Sequence, residues 1–246
     1  MSRDLPTPAR ALAVGAHPDD VEFGCGGTLA KWAAAGCEIS HLICTDGSKG
    51  SWDPDDDPAT LVASRQVEQR AASVALGGTG NVVFLGWRDG ELESGLRQRA
   101  DVCHWIRRLR PEVVLGHDPW KRYRLHPDHH HAGRLVVEGI VAARDPHFFP
   151  EQAQTPHRPS HLLLWEADEP DHVEDITAGL DAKLAALLEH RSQYRTTMDI
   201  DDPSSAEQTE RFRDTIRRRH AEAAEGDAAL ANGMAYGERF KLISKL

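Results

Sequence analysis

Residues 11–16 read Ala-Leu-Ala-Val-Gly-Ala, a short apolar run with polar neighbours on both sides. Such a run predicts a buried β-strand. An alanine-rich helix is predicted at residues 28–35, where Gly36 ends it, and a second apolar strand is predicted at residues 39–44. A strand, a helix and a strand of these lengths form a βαβ unit, which requires a parallel sheet.

The same alternation continues along the chain. Further strands are predicted at residues 82–85, 112–115 and 161–165, and further helices at residues 60–76, 96–109, 128–143, 181–190 and 206–224. Residues 234–246 regain apolar character, and we expect them to pack back onto the body of the protein. Strands that alternate with helices predict an α/β fold, a Rossmann-like and mostly parallel sheet with helices on both faces. Since no linker-like composition interrupts this pattern, we expect a single domain over residues 1–246.

The overall composition excludes several classes of protein. The chain has 246 residues, of which 40% are hydrophobic and 28% charged, and its formal net charge is −10. It is long enough to bury a large core, and its acidity argues against a nucleic-acid-binding surface, which needs a basic field. No apolar run reaches the ~18 residues of a membrane span, and the first residues lack the apolar core of a secretory signal. A cytoplasmic location is therefore the default expectation.

Residues that suit metal binding follow the strands of the predicted sheet. His17 and Asp20 follow the first strand, and His126 and His129 lie in the segment after the fourth. The carboxyl ends of parallel strands meet at one edge of a sheet, so we expect these residues to lie close together. Each pair is three residues apart, and imidazole nitrogen with carboxylate oxygen suits a divalent cation of the zinc type. The combination indicates a catalytic metal site.

Each motif alone has a simpler interpretation. Residues 17–20 also fit a turn that caps the next helix, and residues 129–131 also fit a solvated helix face. Residues 24–27 invite comparison with a nucleotide-binding loop, but they miss the spacing of the phosphate-binding fingerprint. A catalytically silent metal-binding protein is a further alternative, which nothing in the sequence supports. Only the pairing of the two motifs at one sheet edge favours catalysis.

The motifs together resemble one known family. Residues 16–28 read Ala-His-Pro-Asp-Asp-Val-Glu-Phe-Gly-Cys-Gly-Gly-Thr, and residues 126–129 read His-Pro-Asp-His. This pair of motifs is similar to the PIG-L/LmbE-like family of zinc-dependent N-acetylglucosaminyl deacetylases, which includes the deacetylases of mycothiol and bacillithiol synthesis. Residues 45–47, 65–68 and 85–90 add supporting matches. The resemblance covers residues 10–145 well and the remainder in general character.

The resemblance implies a metal site and a base. It implies that His17, Asp20 and His129 hold one zinc ion per chain and that the neighbouring Asp19 is the general base. Two histidines and one aspartate also accept iron or cobalt. Residues 121–125 depart from the glycine-rich stretch that family members often carry there, so the wall of the pocket is expected to differ.

The resemblance also implies roles around the substrate. His126 matches the histidine that stabilises the oxyanion or acts as an acid, and Asp128 is placed to orient an imidazole. Arg65, Asp46 and Asp89 are the implied substrate-binding residues.

The function implied is zinc-dependent hydrolysis of the amide bond of an N-acetylglucosamine-type small molecule, with Asp19 as the base. The same chemistry on a different substrate, such as a secondary-metabolite intermediate or a thiol conjugate, stays open. The expected partner is thus a small N-acylated amino sugar. A homo-oligomer stays open as well, because relatives are often homo-oligomeric.

Overall fold

The computed structural model describes residues 1–225 and 233–246. Within these residues, one sheet has eight strands in the order β1-β7-β8-β6-β5-β2-β3-β4. The strands are β1 (Ser2–Arg3), β2 (Arg10–Gly15), β3 (Glu38–Thr45), β4 (Val82–Trp87), β5 (Val113–His117), β6 (His161–Trp165), β7 (His172–Asp175) and β8 (Gly237–Ser244). The helices are α1 (Asp20–Ala34), α2 (Pro58–Ala75), α3 (Leu96–Leu109), α4 (Pro127–Arg144), α5 (Leu180–Glu189), α6 (Tyr194–Thr197) and α7 (Ala206–Glu225).

The pairing of the strands is mostly parallel. Strands β4, β3, β2, β5 and β6 pair in parallel along the sheet, and the short β1 pairs in parallel with β7. Strand β8 is antiparallel to both β6 and β7. The expected return of the C-terminal residues is therefore confirmed, and they do more than pack on the surface, because β8 lies inside the sheet.

Helices cover both faces of this sheet. On one face the core includes Leu29 of α1, Ala72 of α2 and Ala186 of α5. On the other face it includes Val102 of α3 and Val136 of α4. The predicted α/β fold, with a mostly parallel sheet and helices on both faces, is confirmed. No helix in the described part of the chain is both long and apolar enough to cross a membrane.

Strand β2 is apolar from residue 11 to residue 15, and its two faces explain why. Ala11 and Ala13 belong to the core on one face, and Leu12 and Val14 belong to the core on the other. Successive side chains of a strand point to opposite faces. Because helices cover both faces, residues 11–15 of this strand are buried and none of them needs to be polar.

Helix α1 begins eight residues earlier than the sequence pattern predicts and contains a break. It starts at Asp20, and Cys25 has the non-helical φ of −149°. A Cβ atom at Gly24 would lie 2.6 Å from the Trp165 ring, and one at Gly27 would lie 2.7 Å from Ile176. The glycines therefore allow close packing around the break, which supports the packing interpretation over a phosphate-binding one.

Candidate metal centre and active-site cavity

The two histidine motifs meet because of the strand order. Strand β2 lies between β3, the next strand in sequence, and β5, which comes later in the chain. The chain thus reverses its direction of travel across the sheet at β2, and a crevice opens at the carboxyl ends of β2 and β5. His17 and Asp20 follow β2, and His126 and His129 lie at the start of α4, which follows β5.

Three side chains converge in this crevice. His17 Nδ1 lies 3.4 Å from Asp20 Oδ2, His129 Nε2 lies 3.3 Å from Asp20 Oδ1, and His129 Nε2 lies 3.3 Å from His17 Nδ1. In a tetrahedral zinc site with bonds of ~2.0–2.1 Å, neighbouring ligand atoms are ~3.3–3.4 Å apart. These distances join His17 to Oδ2 and His129 to Oδ1 of Asp20, so the three side chains could together hold one divalent metal ion. Within the described residues, two overlapping sets also present ligand atoms within 4.8 Å of one another, namely His17 with His126 and His129, and Asp20 with His117 and His129.

The outer nitrogen of His17 is held by carboxylates. His17 Nε2 lies 3.0 Å from Asp128 Oδ2 and 3.2 Å from Asp89 Oδ1. Asp128 is fully buried and also accepts hydrogen bonds from the backbone N–H groups of Gly90 and Leu92. A carboxylate at one ring nitrogen favours the tautomer with its proton there, which leaves the lone pair of Nδ1 for a metal.

Asp19 is buried and has an unusual backbone conformation. Its φ of 96° lies in the left-handed region, and its side chain makes no capping hydrogen bond to α1. Burial raises the pKa of Asp19 to about 6, although the Arg65 guanidinium and His190 act in the opposite direction. A carboxyl group with this pKa can exchange a proton near neutral pH. The alternative interpretation, in which an aspartate side chain of this turn caps the next helix, therefore does not apply to Asp19.

Of the three residues expected to bind substrate, two line the cavity and one does not. Arg65 lines the cavity, but its guanidinium donates to the backbone carbonyls of Gly47 at 2.9 Å and Pro18 at 2.6 Å. Asp89 lines the cavity beside the histidines. Asp46 does not line it, and its carboxylate accepts hydrogen bonds from the loops that follow β3 and β4. Direct contacts of these residues with a substrate stay predictions.

His126 stands at the mouth of the crevice. Its Nδ1 accepts a hydrogen bond from the backbone N–H of Asp128 at 3.3 Å, and its ring centroid lies 4.5 Å from that of His17. Burial and the neighbouring histidines lower the pKa of His126. The neutral ring with an accepting Nδ1 carries its proton on Nε2, which makes it a hydrogen-bond donor.

One residue of the site was missed by the sequence reasoning. His117 ends β5 and is 1% exposed, and Trp165 Nε1 donates to its Nδ1 at 3.0 Å. The proton of the ring is therefore on Nε2, 3.2 Å from Asp20 Oδ2. Within the described residues, Nε2 has no hydrogen-bond partner of good geometry. The signal was its position, since it lies two residues after the predicted strand at residues 112–115.

The cavity extends well beyond the candidate metal centre. Its volume is about 740 Å³, and its far wall includes Arg219, His220 and Arg239 from α7 and β8. Sequence reasoning predicted only a charged surface helix for α7. The acidic loop at residues 53–57 does not line the cavity.

The chain is similar to several known proteins. The family model described as PIG-L, GlcNAc-PI de-N-acetylase, matches residues 12–140. A diacetylchitobiose deacetylase of Thermococcus kodakarensis is 33% identical over 188 residues, which are 75% of this chain and 70% of the relative. A 1D-myo-inositol 2-acetamido-2-deoxy-alpha-D-glucopyranoside deacetylase of Streptomyces avermitilis is 34% identical over 175 residues, which are 61% of this chain and 58% of the relative.

Solved structures extend the comparison to almost the whole chain. The N,N'-diacetylchitobiose deacetylase of Pyrococcus horikoshii superposes with a TM-score of 0.83 at 28% identity, covering 96% of this chain and 84% of that one. The hydratase GalB of Pseudomonas putida superposes with a TM-score of 0.76 at 21% identity, covering 96% and 97%, and shows only a shared fold. The family model and the Thermococcus relative show that this chain belongs to the PIG-L family of de-N-acetylases and is an N-deacetylase, a hydrolase that acts on amide bonds.

Proposed function

We propose that this protein removes the acetyl group from the amide nitrogen of an N-acetylglucosamine-type small molecule and uses zinc to do so. The observation that carries the proposal is the convergence of His17, Asp20 and His129 at 3.3–3.4 Å beside the buried Asp19 in one cavity. The relatives named above, deacetylases of diacetylchitobiose and of an acetamido-glucopyranoside, support this substrate class.

The donor set suits zinc, which binds two imidazoles and one carboxylate in many hydrolytic sites. When bound, zinc polarises a carbonyl group and lowers the pKa of water from ~15.7 toward ~7. The contribution of the protein is to hold the three ligand atoms in place. The carboxylates of Asp128 and Asp89 do this for His17 from its outer nitrogen.

Asp19 is the proposed general base. It lies next to Asp20 in the turn, and its side chain lines the cavity. In this role its carboxylate accepts the proton of the water that attacks the amide carbon. The pKa of about 6 leaves it mostly ionised at neutral pH and still able to pass the proton on.

His126 is the proposed hydrogen-bond donor to the oxygen of the amide carbonyl group. Its Nε2–H can hydrogen-bond to the oxygen of the tetrahedral intermediate as negative charge develops there. When the amide C–N bond breaks, the amine leaves with the proton that Asp19 accepted from the water, and acetate is the second product. His126 donates a hydrogen bond and keeps its proton, because a neutral imidazole does not give up its remaining proton near neutral pH.

The far wall of the cavity supplies contacts for the rest of the substrate. The Nδ1–H of His220 donates to the Gly237 carbonyl at 2.9 Å, so its Nε2 is an acceptor. Arg219 lines the same wall and brings hydrogen-bond donors. These groups match the hydroxyls of a sugar or another polyol attached to the N-acetylglucosamine unit.

The proposal is tested by acetate release from a panel of N-acetylglucosaminides with zinc-loaded protein. We expect release from at least one member, and we expect it to disappear in Asp19→Asn at unchanged zinc content. Release that continues in Asp19→Asn contradicts the assignment of the base. A complete lack of release across the panel, with zinc bound, contradicts the proposed substrate class.

A further inference from the structure

The backbone of Asp19 needs support from its surroundings. A non-glycine residue at φ 96° is in a sparsely populated region, and such a conformation persists only where neighbouring groups hold it. The conformation separates two adjacent carboxylates, since the side chain of Asp20 lies among the histidines while that of Asp19 lies near Arg65.

Gln69 of α2 holds this backbone at the N–H group of Asp19. Gln69 is fully buried, and its Oε1 accepts a hydrogen bond from the backbone N–H of Asp19 at 3.0 Å. Its Nε2 donates to Glu22 Oε1 at 2.7 Å. The N–H of Asp19 can only donate and the carboxylate of Glu22 can only accept, so chemistry allows one orientation of the amide.

Glu22 is itself held on its other oxygen. This residue of α1 is fully buried, and its Oε2 lies 3.2 Å from His190 Nε2, just after α5. His41 of β3 faces the same carboxylate, with Nε2 3.6 Å from Oε1. The hydrogen-bonded chain therefore runs from His190 through Glu22 and Gln69 to the backbone of Asp19, and it ties α1, α2 and the end of α5 together.

We infer that Gln69, oriented by Glu22, is a positioning residue that keeps Asp19 in the conformation its role as base requires. This inference rests on the proposed function. Gln69 is not a catalytic residue, because it contacts the backbone of Asp19 rather than reacting atoms. A role in helix packing alone predicts lost stability, whereas positioning predicts a lower kcat in a protein that stays folded and binds zinc.

The first experiment compares Gln69→Met with a matched control. Methionine has nearly the same shape as glutamine but accepts no comparable hydrogen bond. We expect kcat for deacetylation to fall ~10- to 100-fold, as for other displaced catalytic groups, with KM and zinc content unchanged. The control is Gln98→Met, a buried glutamine on α3, for which we expect wild-type kcat. Wild-type kcat in Gln69→Met overturns the inference, as does an equal loss in the control.

The second experiment exchanges the two partners. In Gln69→Glu, two carboxylates face each other, and we expect a larger loss of kcat than in Gln69→Met. In the double variant Glu22→Gln with Gln69→Glu, the new amide donates to the new carboxylate, which accepts from the N–H of Asp19. We expect this variant to regain at least ~10-fold in kcat over Gln69→Glu, the size of the loss expected when the base is displaced. A double variant no better than Gln69→Glu overturns the inference.

A third readout separates this inference from the proposed function. Amide hydrogen exchange at Asp19, followed by NMR, needs no substrate. We expect faster exchange at this amide in Gln69→Met and unchanged exchange in Gln98→Met. If no amide is hydrolysed by the wild type, the proposed function fails while this result still supports the positioning. Unchanged exchange at Asp19 in Gln69→Met overturns the inference whatever the activity.

Discussion

Two buried polar clusters contact α1, and their hydrogen bonds are satisfied to different degrees. At the break in the helix, the carboxylate of Glu238 accepts hydrogen bonds from the N–H groups of Gly27 and Thr28 and from Lys183 Nζ at 2.6 Å. Lys183 also donates to the carbonyl of Phe23 at 2.8 Å. Each charged group at the break therefore has partners within the protein.

The cluster at the first residues of α1 is different. Ring nitrogens of His17 and His129 lie 3.3–3.4 Å from the Asp20 carboxylate, Asp19 has a left-handed backbone, and His117 Nε2 lacks a partner of good geometry. Buried polar groups normally have hydrogen-bond partners within the protein. A cluster in which buried polar groups lack such partners is therefore suited to binding a ligand. We propose that the break cluster serves stability and the first cluster serves chemistry.

The largest expected effect separates activity from stability at the first cluster. In Asp19→Asn, we expect kcat to fall ~10²–10⁴-fold, the usual contribution of a general base. We expect no loss of the free energy of unfolding, because the substitution removes a buried charge whose own burial is unfavourable. Acetate release and urea unfolding measure the two quantities. A destabilised Asp19→Asn would remove the contrast between the clusters.

At the break cluster we expect the opposite result for stability. Glu238→Ala leaves the fully buried ammonium of Lys183 without its carboxylate. Breaking a buried ion pair on one side lowers the free energy of unfolding by ~3–5 kcal/mol. Urea unfolding measures this loss. Adding Lys183→Met should restore part of the stability, and a double variant as unstable as Glu238→Ala would contradict the explanation.

The break cluster also predicts how the stability of the protein depends on pH. His220 of α7 faces Lys183 of α5 and Glu238 of β8, and burial together with the Lys183 ammonium lowers its pKa from 6.5 to about 4. The unfolded chain binds this proton first, so folding stability falls as the pH drops from 6.5 toward about 4. The contribution is up to about 3 kcal/mol.

The measurement is urea unfolding between neutral pH and mild acid. His220→Gln should show a shallower loss of stability over this range than the wild type, because glutamine does not titrate. Parallel curves for the two proteins would show that another group causes the acid sensitivity.

The smallest expected effect concerns metal affinity. In His117→Phe the hydrogen-bond donor beside Asp20 Oδ2 is lost while an aromatic ring remains to stack on His129. Residues that orient a metal ligand contribute ~10- to 100-fold to metal affinity. Zinc competition with a chelator measures this change. His130→Gln is the control, since His130 bonds to the Pro119 carbonyl instead, and an equal loss there would contradict the role of His117.

The predictable part of the site lies in short segments. His17, Asp19 and Asp20 form one turn after an apolar strand, and His126 and His129 lie near the start of one helix. Local spacing and the direction of parallel strands are enough to bring these residues together. Gln69 and Glu238 have no such signal, because their hydrogen-bond partners are remote in sequence. Gln69 is 50 residues from Asp19, and Glu238 is 211 residues from Gly27 and 210 residues from Thr28.

The amino-acid sequence was therefore sufficient to predict the α/β class, the edge of the sheet at which the candidate site lies and the residue types that suit a metal ion. These depend on periodicity and on neighbours in sequence. The tertiary structure decided which oxygen of Asp20 each histidine faces, that β8 enters the sheet antiparallel, and that Gln69 holds Asp19. Hydrogen bonds and pKa shifts depend on distance and burial, and both exist only once remote segments have packed together.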